Sequence, residues 1–191
     1  LGSEDYVVGS HEFYLSYCVA RGTILCMDMG HYHPTETISD KVSAVLCFLD
    51  RLVLHVSRGV RWDSDHVVIV DDPLRALCHE VVRGDALDRV SFALDFFDAS
   101  INRVAAWVIG ARAFRRALLD ALLAPLDLLR RLEAAGDGGT KLALLEECKA
   151  MPLGAVWDYV CLTEDVPVGP AWLDEVAAYE RDVLSKRESA Q

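Results

Sequence analysis

The residues able to do chemistry in this chain crowd into a few short stretches: Asp28-Met29-Gly30-His31-Tyr32-His33-Pro34, a lone His55, Asp63-Ser64-Asp65-His66, and Asp95. Imidazole nitrogens mixed with carboxylate oxygens suit Mn²⁺, Zn²⁺ or Co²⁺, and the lack of a paired-cysteine motif argues against a structural zinc site. In Asp28-x-x-His31 both side chains can leave a strand end and its turn in similar directions. In Asp63-x-Asp65 alternate residues of an extended loop face one side, so both carboxylates can reach one cation. Any one of these pairs, taken alone, reads first as a turn-capping aspartate or a hydrogen-bonded histidine, and it is five donors at one mouth that shift the balance toward a metal. His55, inside LVLHV, reads on its own as a core histidine bonded to backbone. Asp95 is harder to dismiss, because an apolar strand rarely ends in a carboxylate without a partner. His11, Glu12 and Glu36 are weaker candidates with structural or solvated roles.

These residues need a scaffold that brings them together. Up to about residue 98 the sequence alternates short apolar runs with longer amphipathic ones, the pattern of strand–helix units around a parallel sheet. Residues 23–28 (TILCMD), 52–56 (LVLHV) and 90–95 (VSFALD) read as buried strands. Each carries a metal-competent residue at or near its C-terminal end: Asp28, His55 and Asp95. That end of a parallel sheet or barrel is where active sites lie, so the three converge on one mouth. Residues 37–49 read as one crossover helix, and Asp72-Pro73 opens a second that runs through residue 82, with Asp71 and Asp72 capping it. From residue 99 onward Ala, Leu and Arg recur at helical period, broken by Pro125, residues 136–139 (GDGG) and Pro152, with a last helix over 172–187. The expected organisation is therefore residues 1–98 as an α/β part bearing the ligands and 99–191 as an all-helical extension serving packing and oligomerisation.

Composition narrows the partners. Nineteen basic against thirty acidic residues give a net charge of −11, which offers a polyanion no general attraction. Nucleic acid is excluded as an expected partner, and Arg115, Arg116, Arg130 and Arg131 read as solvated helix faces. Hydrophobic residues make up 52% of the chain, enough for a substantial core. The apolar segments are interrupted by charges before membrane-spanning length, so no membrane partner is expected and the location reads as cytoplasmic. The six cysteines, Cys18, Cys26, Cys47, Cys78, Cys148 and Cys161, read as reduced core thiols. No glycine-rich phosphate loop is present, so no nucleotide cofactor is implied. The first residue is Leu1, which suggests a sequence beginning inside a longer product.

Four stretches carry a resemblance: GSHEFY (9–14), DMGHYHPTETISDK (28–41), HVSRGVRWDSDHVV (55–68) and LDFFDASINRVAAWVIG (94–110) resemble the L-rhamnose isomerase family, as do EAAGD (133–137) and YERDVLSKR (179–187) in the tail. The resemblance implies a metal-dependent aldose–ketose isomerase built on a (β/α)₈ TIM barrel, of which this chain would be the C-terminal half followed by the helical extension, and a homotetramer when full length. It implies that His31, Asp63 and Asp65 hold a catalytic Mn²⁺. Asp28, His55 and Asp95 would hold a second divalent cation such as Zn²⁺, Co²⁺ or Mn²⁺, with Asp28 near both. The substrate it implies is L-rhamnose.

The family pattern also includes a Glu-x-Lys pair, a metal ligand and a substrate-polarising group, ahead of the point where this sequence starts. Half a barrel leaves an open sheet edge, and a mean hydropathy of +0.20 is compatible with buried surface whose partner lies elsewhere. Two other readings compete: a barrel metallohydrolase using similar ligands to activate water, and an inactive fragment or metal-binding interaction module.

Overall fold

The computed structural model describes residues 10–33, 35–60 and 65–188. The order of elements is α1 (His11–Arg21), β1 (Leu25–Asp28), α2 (Ser39–Leu46), β2 (Leu52–Val56), α3 (Asp72–Arg83), β3 (Val90–Leu94) and α4 (Arg103–Leu122), then α5 (Leu126–Ala134), α6 (Gly138–Lys149), α7 (Leu153–Thr163) and α8 (Trp172–Tyr179). A π-helical turn (Glu180–Leu184) and a last helical turn (Ser185–Glu188) follow. The chain divides into two compact units, Leu1–Ala124 and Pro125–Gln191. No helix among the described residues is long and apolar enough to cross a membrane.

In the first unit the three strands form one parallel sheet in chain order, β1-β2-β3. Alternation along the strands separates its faces. Leu25 and Met27 of β1, Leu52, Leu54 and Val56 of β2, and Val90 of β3 are buried. Phe92, which shares that parity, packs in a tilted contact against Phe114 of α4 with ring centroids 4.8 Å apart, so this is the helix-covered face. The opposite face presents two rungs in register, Cys26–Val53–Ser91 and Asp28–His55–Ala93. Cys26 and Ser91 are exposed there.

Local chemistry explains the helix boundaries. Ser10 caps α1 by accepting from the Phe13 N–H, and Gly22 ends it at φ 63°, a left-handed turn that costs glycine nothing. Asp71 caps α3 by accepting from the Leu74 N–H at 3.1 Å, with Pro73 in the first turn, as the sequence indicated. Helix α2 is shorter than residues 37–49 suggested, because the Cys47 N–H turns back to the Ala44 carbonyl and tightens the end. Helices α3 and α4 pack together and are clamped by Asp120, which is only 4% exposed. Its Oδ2 accepts from Arg75 Nε at 3.0 Å and lies 3.0 Å from His79 Nε2. A buried carboxylate is tolerated because these partners replace its water.

The second unit is wholly helical among the described residues. Pro125 and Pro152 precede α5 and α7, and Asp137 caps α6 through the Thr140 N–H at 3.0 Å. α5 and α6 pack together, joined by Lys141 to Glu133 at 2.9 Å. The final helical run is not uniform: the π-helical turn follows α8 directly.

All six cysteines are free, but only Cys18, Cys78 and Cys161 are buried. Cys26 and Cys47 are exposed and Cys148 is half-buried, which corrects the expectation of core thiols for those three. Burial pushes the Cys78 thiol up to about 12, leaving it protonated and inert. Arg115, Arg130 and Arg131 are exposed as expected, whereas Arg116 is partly buried.

Candidate metal centre

The parallel register puts Asp28 beside His55, and the ladder continues past both strand ends. The Met29 N–H donates to the His55 carbonyl at 3.1 Å, and the Asp95 N–H to the Val56 carbonyl at 3.3 Å. Asp28, His55 and Asp95 thus leave the C-terminal edge of three adjacent strands with their backbones hydrogen-bonded in place. His55 is no core histidine. Its Nδ1 lies 3.1 Å from Asp28 Oδ2 and 2.9 Å from Asp95 Oδ2.

Two loops bring the next donors. After β1 the chain turns at Asp28, whose Oδ1 accepts from the Gly30 N–H at 2.8 Å, and this delivers His31. His31 Nε2 stands 3.2 Å from Asp65 Oδ2 and 3.9 Å from Asp28 Oδ2. Tyr32 anchors that loop: its hydroxyl is 2.8 Å from His11 Nδ1, and the Lys41 ammonium, paired with Glu36 at 2.7 Å, lies 5.5 Å from its ring centroid. His11 and Glu36 thus make contacts that tie this loop to α1 and α2. The loop after β2 is held by reciprocal backbone bonds between Arg58 and His66 at 2.9 and 3.0 Å, and by Arg58 Nε on the Val67 carbonyl at 2.9 Å. The Asp65 carbonyl accepts from the Phe97 N–H at 3.0 Å, tying that loop to the segment after β3.

The outcome is two triads, Asp28–His55–Asp95 and Asp28–His31–Asp65, in each of which the donor atoms lie within 4.8 Å of one another. Asp28 Oδ2 faces both histidines. Asp63, the remaining sequence-derived ligand, lies outside the described residues. Residues that sequence reasoning missed are Ser57, whose hydroxyl donates to Asp28 Oδ1 at 3.1 Å, and the loop anchors Tyr32 and Arg58. A cavity of about 210 Å³ opens beside the site, with Tyr32, Ser57 and Arg58 in its wall.

The donors fit a divalent cation on electrostatic grounds. Three carboxylates converge, and each imidazole N–H is a single donor set between two of them, so protons alone satisfy the cluster poorly. Asp65 Oδ1 is buried without a hydrogen-bond partner among the described residues, a costly arrangement unless something else supplies positive charge. Burial, and then the charge of Asp28, push the Asp65 carboxyl above its usual range. Mixed imidazole and carboxylate donors suit Mn²⁺, Zn²⁺ or Co²⁺, and their identity does not choose among these ions.

Comparison with known proteins gives the chain a family. Residues 1–187 match the family described as L-rhamnose isomerase (RhaA). The chain is 62% identical over 187 residues to an L-rhamnose isomerase of Mannheimia succiniciproducens, covering 98% of this chain and 45% of that protein. Over the same length it is 60% identical to one from Rhodopirellula baltica and 59% identical to one from Salmonella newport, covering 44% and 45% of those proteins. The chain thus spans about half the length of the curated relatives it matches. With a match that runs through both the strands of the parallel sheet and the helical tail, the chain belongs to the L-rhamnose isomerase family.

Proposed function

We propose that this chain provides the metal-binding part of an enzyme that interconverts L-rhamnose and L-rhamnulose. The observation that carries the proposal is the pair of triads sharing Asp28 at the C-terminal edge of a parallel sheet, within a chain of this family. In this proposal His31, Asp63 and Asp65 hold the catalytic cation, Mn²⁺. Asp28, His55 and Asp95 hold the second cation, and Asp28 lies between the two. The strands belong to a (β/α)₈ barrel: the rungs Cys26–Val53–Ser91 and Asp28–His55–Ala93 face its interior, where side chains from neighbouring strands stack in layers. The helical second unit serves packing in a homotetramer, and the enzyme acts in the cytoplasm.

The reaction is internal to the sugar. The hydrogen on C2 moves with its electron pair to C1, while the proton of the C2 hydroxyl is transferred to the C1 oxygen, so no external oxidant or reductant is needed. A divalent cation held by these residues would supply Lewis acidity, stabilising negative charge as it develops on the sugar. The protein's share is positional. Paired strands fix Asp28, His55 and Asp95, and pinned loops fix His31 and Asp65, so that little reorganisation accompanies the chemical step.

The test is a chimera in which this chain replaces the corresponding 187 residues of the Mannheimia relative, assayed with Mn²⁺ for L-rhamnulose formation. Isomerase activity that His31→Ala abolishes is the expected result. Hydrolysis of phosphate esters in its place, or a folded, metal-loaded chimera without isomerase activity, refutes the proposal.

A further inference from the structure

Ser57 and Asp120 are the buried polar or charged side chains among the described residues, at 1% and 4% exposure. Asp120 is accounted for by the α3–α4 clamp. Ser57 follows β2 directly, and its parity puts it on the same face as His55. A buried hydroxyl is costly unless bonded, and this one is bonded to the carboxylate shared by both triads, with the Asp65 carboxylate as a second neighbour.

The two oxygens of that carboxylate are used differently. Oδ1 accepts from the Ser57 hydroxyl at 3.1 Å and from the Gly30 N–H at 2.8 Å. Oδ2 faces His55 Nδ1 at 3.1 Å and His31 Nε2 at 3.9 Å. A carboxylate oxygen has about two acceptor directions, so Oδ1 is filled by protein donors and Oδ2 is left for the two triads. Rotation about the terminal torsion of an aspartate is soft and nearly two-fold. Two donors converging on one oxygen remove that freedom, and the Gly30 amide alone would not.

We infer that Ser57 is a positioning residue for both cation sites: by holding Oδ1 of Asp28, its hydroxyl keeps Oδ2 aimed at the point where the triads meet. The inference rests on the metal-binding proposal above and adds to it a residue that touches neither cation. Removing its hydroxyl weakens both sites together, whereas loss of His31 or of His55 acts on one.

The experiment titrates the chimera described above with Co²⁺, following the visible d–d absorption and the heat of binding, with wild-type Ser57, Ser57→Ala and Ser57→Thr, and with folding checked by circular dichroism. Expected is a roughly 10–100-fold loss of Co²⁺ affinity at both sites in Ser57→Ala, with a changed d–d spectrum, as is typical when a group supporting a ligand is removed. Ser57→Thr, which keeps the hydroxyl, restores affinity and spectrum. If Ser57→Ala does not fold, Ser57→Val set against Ser57→Thr carries the same comparison, because those two side chains have nearly the same volume and differ in the hydroxyl. Wild-type affinity and spectrum in the Ala or Val variant overturn the inference alone. A Thr variant that folds but binds as poorly as Ala also overturns it, because volume rather than the hydroxyl is then at work. A folded wild-type chimera that takes up no Co²⁺ removes the metal-binding proposal, and this inference with it.

Discussion

The two triads share one carboxylate but are built in opposite ways. Asp28, His55 and Asp95 leave three paired strands, and backbone bonds at Met29 and Asp95 continue the ladder past the last strand residues. His31 and Asp65 ride on loops, held by side chains (Tyr32 on His11, Arg58 on Val67) and by short backbone links to His66 and Phe97. Strand-borne ligands inherit the precision of the sheet, while loop-borne ligands are placed by contacts that can be altered one at a time. Under the proposed function, the first construction would suit a cation that stays, and the second one that must adapt to a substrate.

Several changes break or sharpen this contrast. The largest effect is expected from Asp28→Asn, which removes the charge both triads use. Calorimetry with Mn²⁺ should show binding lost at both sites, by more than the roughly 10–100-fold typical of a supporting residue. Selective loss at only one triad would mean that Asp28 is not shared.

Gly110→Ala acts on the strand-borne side from a distance. A Cβ at Gly110 would overlap the ring of Phe96, the residue after Asp95, so the ring must move. Overpacking of this kind costs about 1–3 kcal/mol. Denaturant unfolding should show that loss, and cation affinity should fall at the Asp95 triad more than at the His31 triad.

His55→Ala and His31→Ala form a matched pair. His55 Nδ1 contacts two carboxylates held by the sheet, so its loss should lower the stability of the metal-free chain by about 1–2 kcal/mol, read as a drop in Tm. His31, on a loop and more exposed, should change Tm little while removing one bound cation. Equal Tm losses would erase the distinction between the two constructions.

The smallest effect is a slope. The Asp65 carboxyl is raised by burial and by Asp28, so the folded metal-free chain holds its proton more tightly than the unfolded chain does. Its contribution to stability is therefore fully present below the ordinary aspartate range and is lost as pH rises through the raised folded value. Relative to Asp65→Asn, wild type should gain stability as pH is lowered from neutral into the acid range. Cation affinity should move the other way, because the ligand must be ionised to bind.

Much of this was legible in the sequence, and the pattern of success follows from physics. Residues 52–56 form β2 as read, because a short apolar run in a parallel sheet has few alternatives. Strand β1 begins at Leu25 rather than at residue 23, since the preceding Gly22 turn consumes Thr23, whose N–H returns to the Cys18 carbonyl. Strand ends bearing Asp or His in otherwise apolar runs flagged Asp28, His55 and Asp95, and register brought them together. Ser57 was invisible, because a serine after a strand is common and only its burial against Asp28 gives it meaning. Tyr32 and Arg58 were missed for a similar reason: their partners, His11 and Val67, are chosen by loop geometry, which no periodicity encodes. The π-helical turn within residues 172–187 left no mark on a pattern read simply as helix.

Because β1, β2 and β3 lie side by side in chain order, each pairing closes a modest loop: Asp28 and His55 are 27 residues apart. Closure entropy grows only logarithmically with loop length, and such near-neighbour pairings favour fast assembly. A cation bound by the first strand-borne triad therefore reads out the formation of one contiguous folding unit. At a hundred times its dissociation constant it would hold that unit closed by about 2.7 kcal/mol, and backbone amides across β1, β2 and β3 would then exchange with solvent roughly a hundredfold more slowly wherever exchange requires this unit to open.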